Sequence, residues 1–252
     1  MSALAGLRVL VTRPAQQSEN LCRMIEAQGG IAVRLPLLAI QPTAHPARAE
    51  AVLAAARTHD AWIFTSANAV RHAERLCRPP WPPRIAAVGA ATAAALEAGG
   101  IEVQMAPLSA HSAEALLALP ELADVRGRRL LIVTGEDGLD LLARTLFERG
   151  AQVEIAEVYR RVPLPYEAEA LLSALRGVEV IVITSGAALA HLFKLTPEAS
   201  RPTLLKKQLA VPSERVLEQA LALGFAQRPL MTQPMSDAAI LRALHLWHAQ
   251  HP

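Results

Sequence analysis

Short apolar runs bounded by Gly, Thr or Ser alternate along this chain with longer segments whose apolar residues recur at i, i+3 and i+4. The runs are Val9-Val11, Trp62-Phe64, Ile85-Val88, Leu130-Val133, Val180-Ile183 and Leu209-Val211. Their length and their β-branched or aromatic character predict buried strands. Each is followed by a segment of helical period, such as the one carrying Leu139, Leu142 and Leu146. Gly29-Gly30, Gly99-Gly100, Gly150 and Gly224 fall where a helix C-terminus needs a left-handed residue. Strand-helix alternation with strands apolar on both faces predicts parallel sheets covered by helices on each side.

The alternation is also a repeat. The text Ala61-Trp62-Ile63-Phe64-Thr65-Ser66-Ala67-Asn68-Ala69-Val70 recurs as Val180-Ile181-Val182-Ile183-Thr184-Ser185-Gly186-Ala187-Ala188-Leu189. Ile85-Ala86-Ala87-Val88-Gly89 and its helix recur as Leu209-Ala210-Val211-Pro212-Ser213 and the helix ending at Gly224. Arg8-Val9-Leu10-Val11-Thr12, with a helix closing at Gly29-Gly30, is echoed by Arg129-Leu130-Leu131-Ile132-Val133 and a helix closing at Gly150. With these units named a, b and c, the chain reads a, b, c, a′, b′, c′. Two Pro-marked extended stretches, Leu35 to Pro46 and Ile155 to Pro165, fall where the unit order changes. They read as crossings between two similar α/β domains of flavodoxin-like type. The inserted domain is expected over 42–157. The discontinuous one is expected over 1–35 with 164–252, and the crossing strands over 36–41 and 158–163. Two such strands can pair into a linker, leaving a cleft between the domains at the carboxyl ends of their strands as the expected substrate site.

Composition narrows the class. A chain of 252 residues suits two domains. Its 52% hydrophobic content is dominated by Ala and Leu, and no apolar run approaches the ~20 residues of a spanning helix. No export signal is recognisable between Met1 and Arg13, and Cys22 and Cys77 fall in different units, so a reduced, cytoplasmic protein without membrane contact is expected. A net charge of +2 with interspersed signs argues against a nucleic-acid surface, yet it permits a local basic cleft for an acidic small molecule. No helix shows a second apolar face, so a monomer is expected.

Nucleotide-binding glycine patterns and the G-x-S-x-G elbow are absent. His245, His248 and His251 have helical spacing suited to a metal, but a solvated, fraying helix end accounts for them. The remaining histidines, His45, His59, His72, His111 and His191, have no partner at a metal-ligand spacing. The chain is expected to need no metal and no cofactor. What recurs is a hydroxyl or glycine at the end of each strand: Thr12-Arg13, Thr65-Ser66 with Asn68, Gly89 with Thr92, Thr184-Ser185-Gly186, Ser213 and Ser236. Each hydroxyl is first a helix N-cap. A set of helix N-termini also suits a ligand carrying many carboxylates.

These residues match a known pattern. Val11-Thr12-Arg13-Pro14, Phe64-Thr65-Ser66-Ala67-Asn68-Ala69-Val70, Val88-Gly89-Ala90-Ala91-Thr92-Ala93, Gly150-Ala151 leading to Val158-Tyr159-Arg160-Arg161, Thr184-Ser185 and Ser213-Glu214-Arg215 resemble the uroporphyrinogen-III synthase family, the cyclizing hydroxymethylbilane hydrolyases. The resemblance runs in order over nearly the whole chain. It implies a two-domain α/β lyase of tetrapyrrole and haem biosynthesis that closes hydroxymethylbilane, a linear tetrapyrrole, with loss of water and inversion of ring D. It also implies Tyr159 as the proton-donating residue. Substrate carboxylates would be held by Arg13, Thr65, Ser66, Asn68, Gly89, Thr92, Gly135, Thr184, Ser185, Gly186 and Ser213.

Such chemistry asks little of a protein. A pyrrole nitrogen expels the hydroxymethyl oxygen with modest acid help, and the rest is control of a flexible chain. A tyrosine packed at a domain junction is the plain alternative for Tyr159. Arg13 reads equally as a surface ion pair, and Arg160 and Arg161, alternating in an extended segment, cannot both face a ligand. Two arginines usual in the family are replaced by Thr134 and Leu139, and Pro212 stands where a small residue is more usual. The missing cations leave open a divergent, non-catalytic homologue that binds a tetrapyrrole or another poly-acid.

Overall fold

Strands whose successive side chains are buried on opposite faces set the architecture. The computed structural model describes residues 3–82, 84–107, 112–136, 138, 140–233 and 235–251, and these form ten strands and eleven α-helices. In chain order the first elements are β1 (Arg8–Val11), α1 (Ala15–Glu26), β2 (Ile31–Arg34), β3 (Leu38–Pro42), α2 (Pro46–Ala55), β4 (Ala61–Phe64) and α3 (Ala67–Leu76). Then come β5 (Ile85–Ala87), α4 (Ala90–Ala98), α5 (Ala113–Leu117), β6 (Arg129–Gly135), α6 (Asp140–Glu148) and β7 (Gln152–Pro163). The chain finishes with α7 (Ala168–Leu175), β8 (Val180–Val182), α8 (Gly186–Leu195), α9 (Arg201–Leu204), β9 (Gln208–Val211), α10 (Glu214–Ala222), β10 (Leu230–Met231) and α11 (Asp237–His248). His111 and Leu139 lie outside the described residues.

Two compact units result, one of Met1–Ala39 with Val162–Pro252, the other of Ile40–Arg161. The first holds a sheet ordered β2-β1-β8-β9-β10, and its neighbouring strands run parallel. Counted within the unit, that is the 2-1-3-4-5 order of doubly wound flavodoxin-like proteins. The second unit's sheet is ordered β3-β7-β6-β4-β5, with β7, β6, β4 and β5 paired in parallel. A parallel bridge between Ala86 and Met105 occupies the position β10 holds in the first unit. Repeat units a, b′ and c′ therefore lie side by side in one sheet as a′, b and c do in the other. The sequence reading of parallel sheets covered by helices describes both.

Each sheet has a core on both faces. From β4, Trp62 and Phe64 enter one cluster with Leu131, Val133, Val158 and Tyr159, while Ala61 and Ile63 join Leu116, Leu130, Ile132 and Leu146 on the other face. In the first unit Leu10 and Ile181 point toward α8 and α10, whereas Val9, Val11, Val180 and Val182 meet Leu21, Ile25, Ile240 and Leu244 of α1 and α11. A buried side chain of this size contributes about 1.5–3 kcal/mol, so the period-2 pattern is the chief local determinant of these strands. Several predicted helix stops also appear: Gly150 (φ 85°) and Gly224 (φ 93°) are left-handed.

Three features depart from the sequence reading. β2 and β10 were not expected, because Ile31 is 42% exposed and β10 spans two residues. β7 extends to twelve residues and begins before the extended stretch marked by its prolines. The end of α11 is not a fraying, solvated helix. His245 bonds the side chain of Gln28, and His251 stacks on Trp247 at 4.5 Å and reaches its carbonyl at 2.9 Å. Trp247 is 9% exposed, and its aromatic surface anchors the last turn.

Candidate functional site

Doubly wound sheets bind ligands at the carboxyl ends of the strands, where the winding reverses. In the second unit that point lies between β6 and β4, and there the Thr65 hydroxyl donates to Thr134 Oγ1 at 2.9 Å. In the first unit it lies between β1 and β8, and Thr12 Oγ1 donates to the Val182 carbonyl at 2.6 Å. The repeat thus places a hydroxyl at the same topological position in both units.

The residue after each Thr of the repeated Thr-Ser pair is a cap. Ser66 and Ser185 have extended backbones and accept the N–H groups of Ala69 and Ala188 at 3.1 and 3.2 Å. Such a bond satisfies one of the amides a helix start leaves unpaired, and it stabilises by about 1 kcal/mol. Gly89 and Ser213 stand at the N-caps of α4 and α10, where no side-chain cap bond forms. Thr92 is buried in the first turn of α4, Thr184 is half-buried, and Asn68 accepts from Arg71 at 3.1 Å. Gly186 is closed in by Gln219, whose amide donates to its carbonyl at 3.0 Å. Arg13 forms an ion pair with Asp237, which also accepts from Asn20 at 2.7 Å.

In the second unit two of the predicted residues, Ser66 and Gly135, converge at a third, Tyr159. Its ring is 1% exposed and belongs to the core cluster of that face. Ser66 Oγ lies 3.1 Å from the phenol oxygen and donates to it, and Arg161 Nη2 donates to the same oxygen at 2.9 Å. A guanidinium has no acceptor, so the direction of that second bond is fixed. With two hydrogens received, the phenol's own hydrogen is left to be given. β7 bulges here: Thr134 is opposite Glu157, but Gly135 is opposite Tyr159. Gly135 is where the ring rests, because a Cβ there would come within 2.7 Å of Tyr159 Cζ. His72, from the buried face of α3, lies 5.8 Å from the ring. Burial, and then the charges of Arg75 and Arg71, push its pKa down and favour the neutral imidazole.

Sequence reasoning singled out Tyr159, Ser66 and Gly135 separately, and the structure brings them into contact. It missed Arg161 as the tyrosine's partner, His72, and Glu136. Glu136 Oε1 accepts from the Ala44 amide at 2.7 Å and the Thr43 hydroxyl at 2.8 Å. The amide and then the hydroxyl hold its carboxyl below the usual range. His72 carried a legible signal, lying three residues past Ala69 on the stripe that also buries Val70 and Ala73. Thr134, where an arginine is usual in the resembled pattern, is 7% exposed and serves as Thr65's acceptor. Among the described residues no group of three His, Cys, Asp or Glu side chains could hold a metal, and no helix is long and apolar enough to cross a membrane.

Fold and site together define a doubly wound α/β protein of two repeated units, with hydroxyls and helix N-termini set at the carboxyl ends of its parallel strands. Comparison with known proteins sharpens that class. The family model described as "Uroporphyrinogen-III synthase HemD" matches residues 19–239. The uroporphyrinogen-III synthase of Salmonella typhimurium is 36% identical over 247 residues, covering 94% of this chain and 100% of that one. That of Escherichia coli is 34% identical over 246 residues, with the same coverage. A solved mutant uroporphyrinogen III synthase of the extremely thermophilic bacterium Thermus thermophilus shares the fold, with a TM-score of 0.65 at 22% identity over 96% of this chain and 100% of that one. The Helicobacter pylori uroporphyrinogen-III synthetase does so at 0.62 and 13%, over 95% and 99%. The chain belongs to the uroporphyrinogen-III synthase family.

Proposed function

We propose that this protein closes hydroxymethylbilane to uroporphyrinogen III, with loss of water and inversion of the last pyrrole ring, and that Tyr159 supplies the proton. The observation that carries the reading is the match, over 94% of the chain, to enzymes named for this product. The site is chemically suited to it. The phenol proton passes to the hydroxymethyl oxygen as the C–O bond breaks, and water leaves. Electrons come from the pyrrole nitrogen, giving an azafulvene cation. The substituted carbon of the last ring attacks, a spiro intermediate rearranges, and the proton lost as the final pyrrole regains aromaticity returns to the tyrosine. No net proton or electron is required from elsewhere. Positioning supplies most of the rate, and acid catalysis of this kind adds typically ~10²–10⁴-fold.

The carboxylates of the substrate are assigned to the capped helix starts and strand ends: Thr65, Ser66, Asn68, Gly89, Thr92 and Gly135 in one unit, Arg13, Thr184, Ser185, Gly186 and Ser213 in the other. Backbone amides at helix N-termini suit anions. Arg13, already paired with Asp237, contributes a bond donor more than free charge. We infer a monomer working in the cytoplasm, where a reducing environment keeps thiols such as the buried, free Cys22 and Cys77 unpaired.

The test supplies freshly generated hydroxymethylbilane to the purified protein and separates the oxidised porphyrin isomers. Uncatalysed closure yields isomer I, so isomer III at sub-stoichiometric protein is the expected result. Tyr159→Phe should retain binding and lose about 10²-fold or more in turnover. Isomer I alone would overturn the enzymatic reading. Full activity of Tyr159→Phe would remove the tyrosine from the mechanism and leave the synthase.

A further inference from the structure

Resting on that reading of Tyr159, we propose that Arg161 is the positioning residue of the proton transfer: its guanidinium holds the phenol oxygen and neutralises the charge that oxygen acquires when its proton leaves. The geometry is specific. Nη2 donates to the phenol oxygen at 2.9 Å, and Arg161 Cζ lies 5.4 Å from the ring centroid. Among the described residues no carboxylate pairs with Arg161, whereas Arg13, Arg144, Arg201 and Arg228 each have one and Arg34 has two. Its neighbour Arg160 turns instead to Gln41, at 3.3 Å. Arg161 is exposed to solvent, and its guanidinium reaches back from there to the buried phenol oxygen.

That arrangement favours the reacting state over the resting one. Before transfer, the guanidinium makes an ion–dipole hydrogen bond to a neutral phenol. As the O–H bond breaks and the proton passes to the departing hydroxyl, the same 2.9 Å contact becomes a bond between full opposite charges. Arg161 cannot lose its own proton, so the charge stays in place until the proton shed by the new ring returns to the tyrosine. Ser66 is the second donor to the oxygen, itself held by the Ala69 amide. Two fixed donors at the atom where charge develops form an oxyanion site built for the enzyme's own acid.

The decisive experiment is a double-mutant cycle read in the isomer III assay, with kcat and KM separated. Arg161→Ala should lower kcat by about 10- to 100-fold with KM unchanged, since losing one such donor costs ~10²–10³ where a full charge forms. Arg161→Lys, which keeps the charge on a shorter reach, should recover part of the loss. Arg161→Ala placed on Tyr159→Phe should cost nothing further in kcat, because the oxygen it serves is gone. A raised KM with unchanged kcat would show Arg161 gripping a substrate carboxylate and would overturn the proposal. An equal kcat loss with and without the tyrosine hydroxyl would overturn it as well. Isomer I alone from the wild type refutes the synthase reading itself, and full activity of Tyr159→Phe refutes the tyrosine's role. Each is distinct from a failure confined to Arg161.

Discussion

Gly135→Ala tests the packing that sets Tyr159 in place. The added Cβ would lie 2.7 Å from Cζ, 2.8 Å from Cε2 and 3.1 Å from Cε1 of the ring, against the 3.4 Å at which ordinary contact begins. Relief therefore needs a shift of about 0.7 Å at Cζ, the carbon that bears the hydroxyl. All three contacts are with one planar ring that is 1% exposed and has no flexible end to yield. Overpacking of this kind costs about 1–3 kcal/mol. In a chain of this length that lowers the thermal midpoint by roughly 2–4 °C per kcal/mol. The same shift moves the hydroxyl relative to its partners, now at 2.9 and 3.1 Å, and misplacement near 1 Å costs about 10²-fold in rate. Calorimetry and the isomer III assay are run together on the purified variant. The expected result is a lower midpoint with kcat reduced ten- to a hundredfold. Both quantities at wild-type values would refute the reasoning, because the ring would then have moved without cost and the hydroxyl bonds would not matter. A lowered midpoint with unchanged kcat would keep the packing argument and sink the catalytic one.

Ser66→Ala removes a cap and a tyrosine contact at once, whereas Ser112→Ala removes the cap of α5, where Ser112 accepts from Ala115 at 3.2 Å, and a bond to Glu114, with no tyrosine involved. Both should lose about 0.5–2 kcal/mol in denaturant unfolding, and only Ser66→Ala should also lose turnover. Glu136 supplies a pH dependence. Its folded pKa is depressed by the Ala44 amide and then the Thr43 hydroxyl, so the stability it adds is present above the usual carboxylate range and lost as pH falls through the lower folded value. Thermal midpoints of wild type and Glu136→Gln should differ at neutral pH and converge in acid. Parallel curves across the range would show that the carboxylate's charge is irrelevant.

The order of strand-helix units, their repeat and the parallel sheets were legible in the chain because each depends on local period. Runs such as Trp62 to Phe64 bury alternate side chains in two cores, and that demand is written residue by residue. The glycine stops at Gly150 and Gly224 were legible for the same reason, since a left-handed backbone restricts what may stand there. Even the hydroxyls at strand ends could be found, because a helix start needs an acceptor within three residues. Contacts across the sheet could not. Ser66 meets Tyr159, and Thr43 meets Glu136, each pair brought together by strand pairing and not by proximity in the chain. Alternation puts Arg161 on the same face of the strand as Tyr159 and Arg160 on the other, but it does not say that the guanidinium and the phenol meet. The bulge that sets Tyr159 opposite Gly135, and so lays the ring on that glycine, could not be read from the chain either. Sequence determined the elements and the chemical groups available; tertiary structure alone decided which groups share an oxygen, since that depends on register and packing summed over the whole sheet.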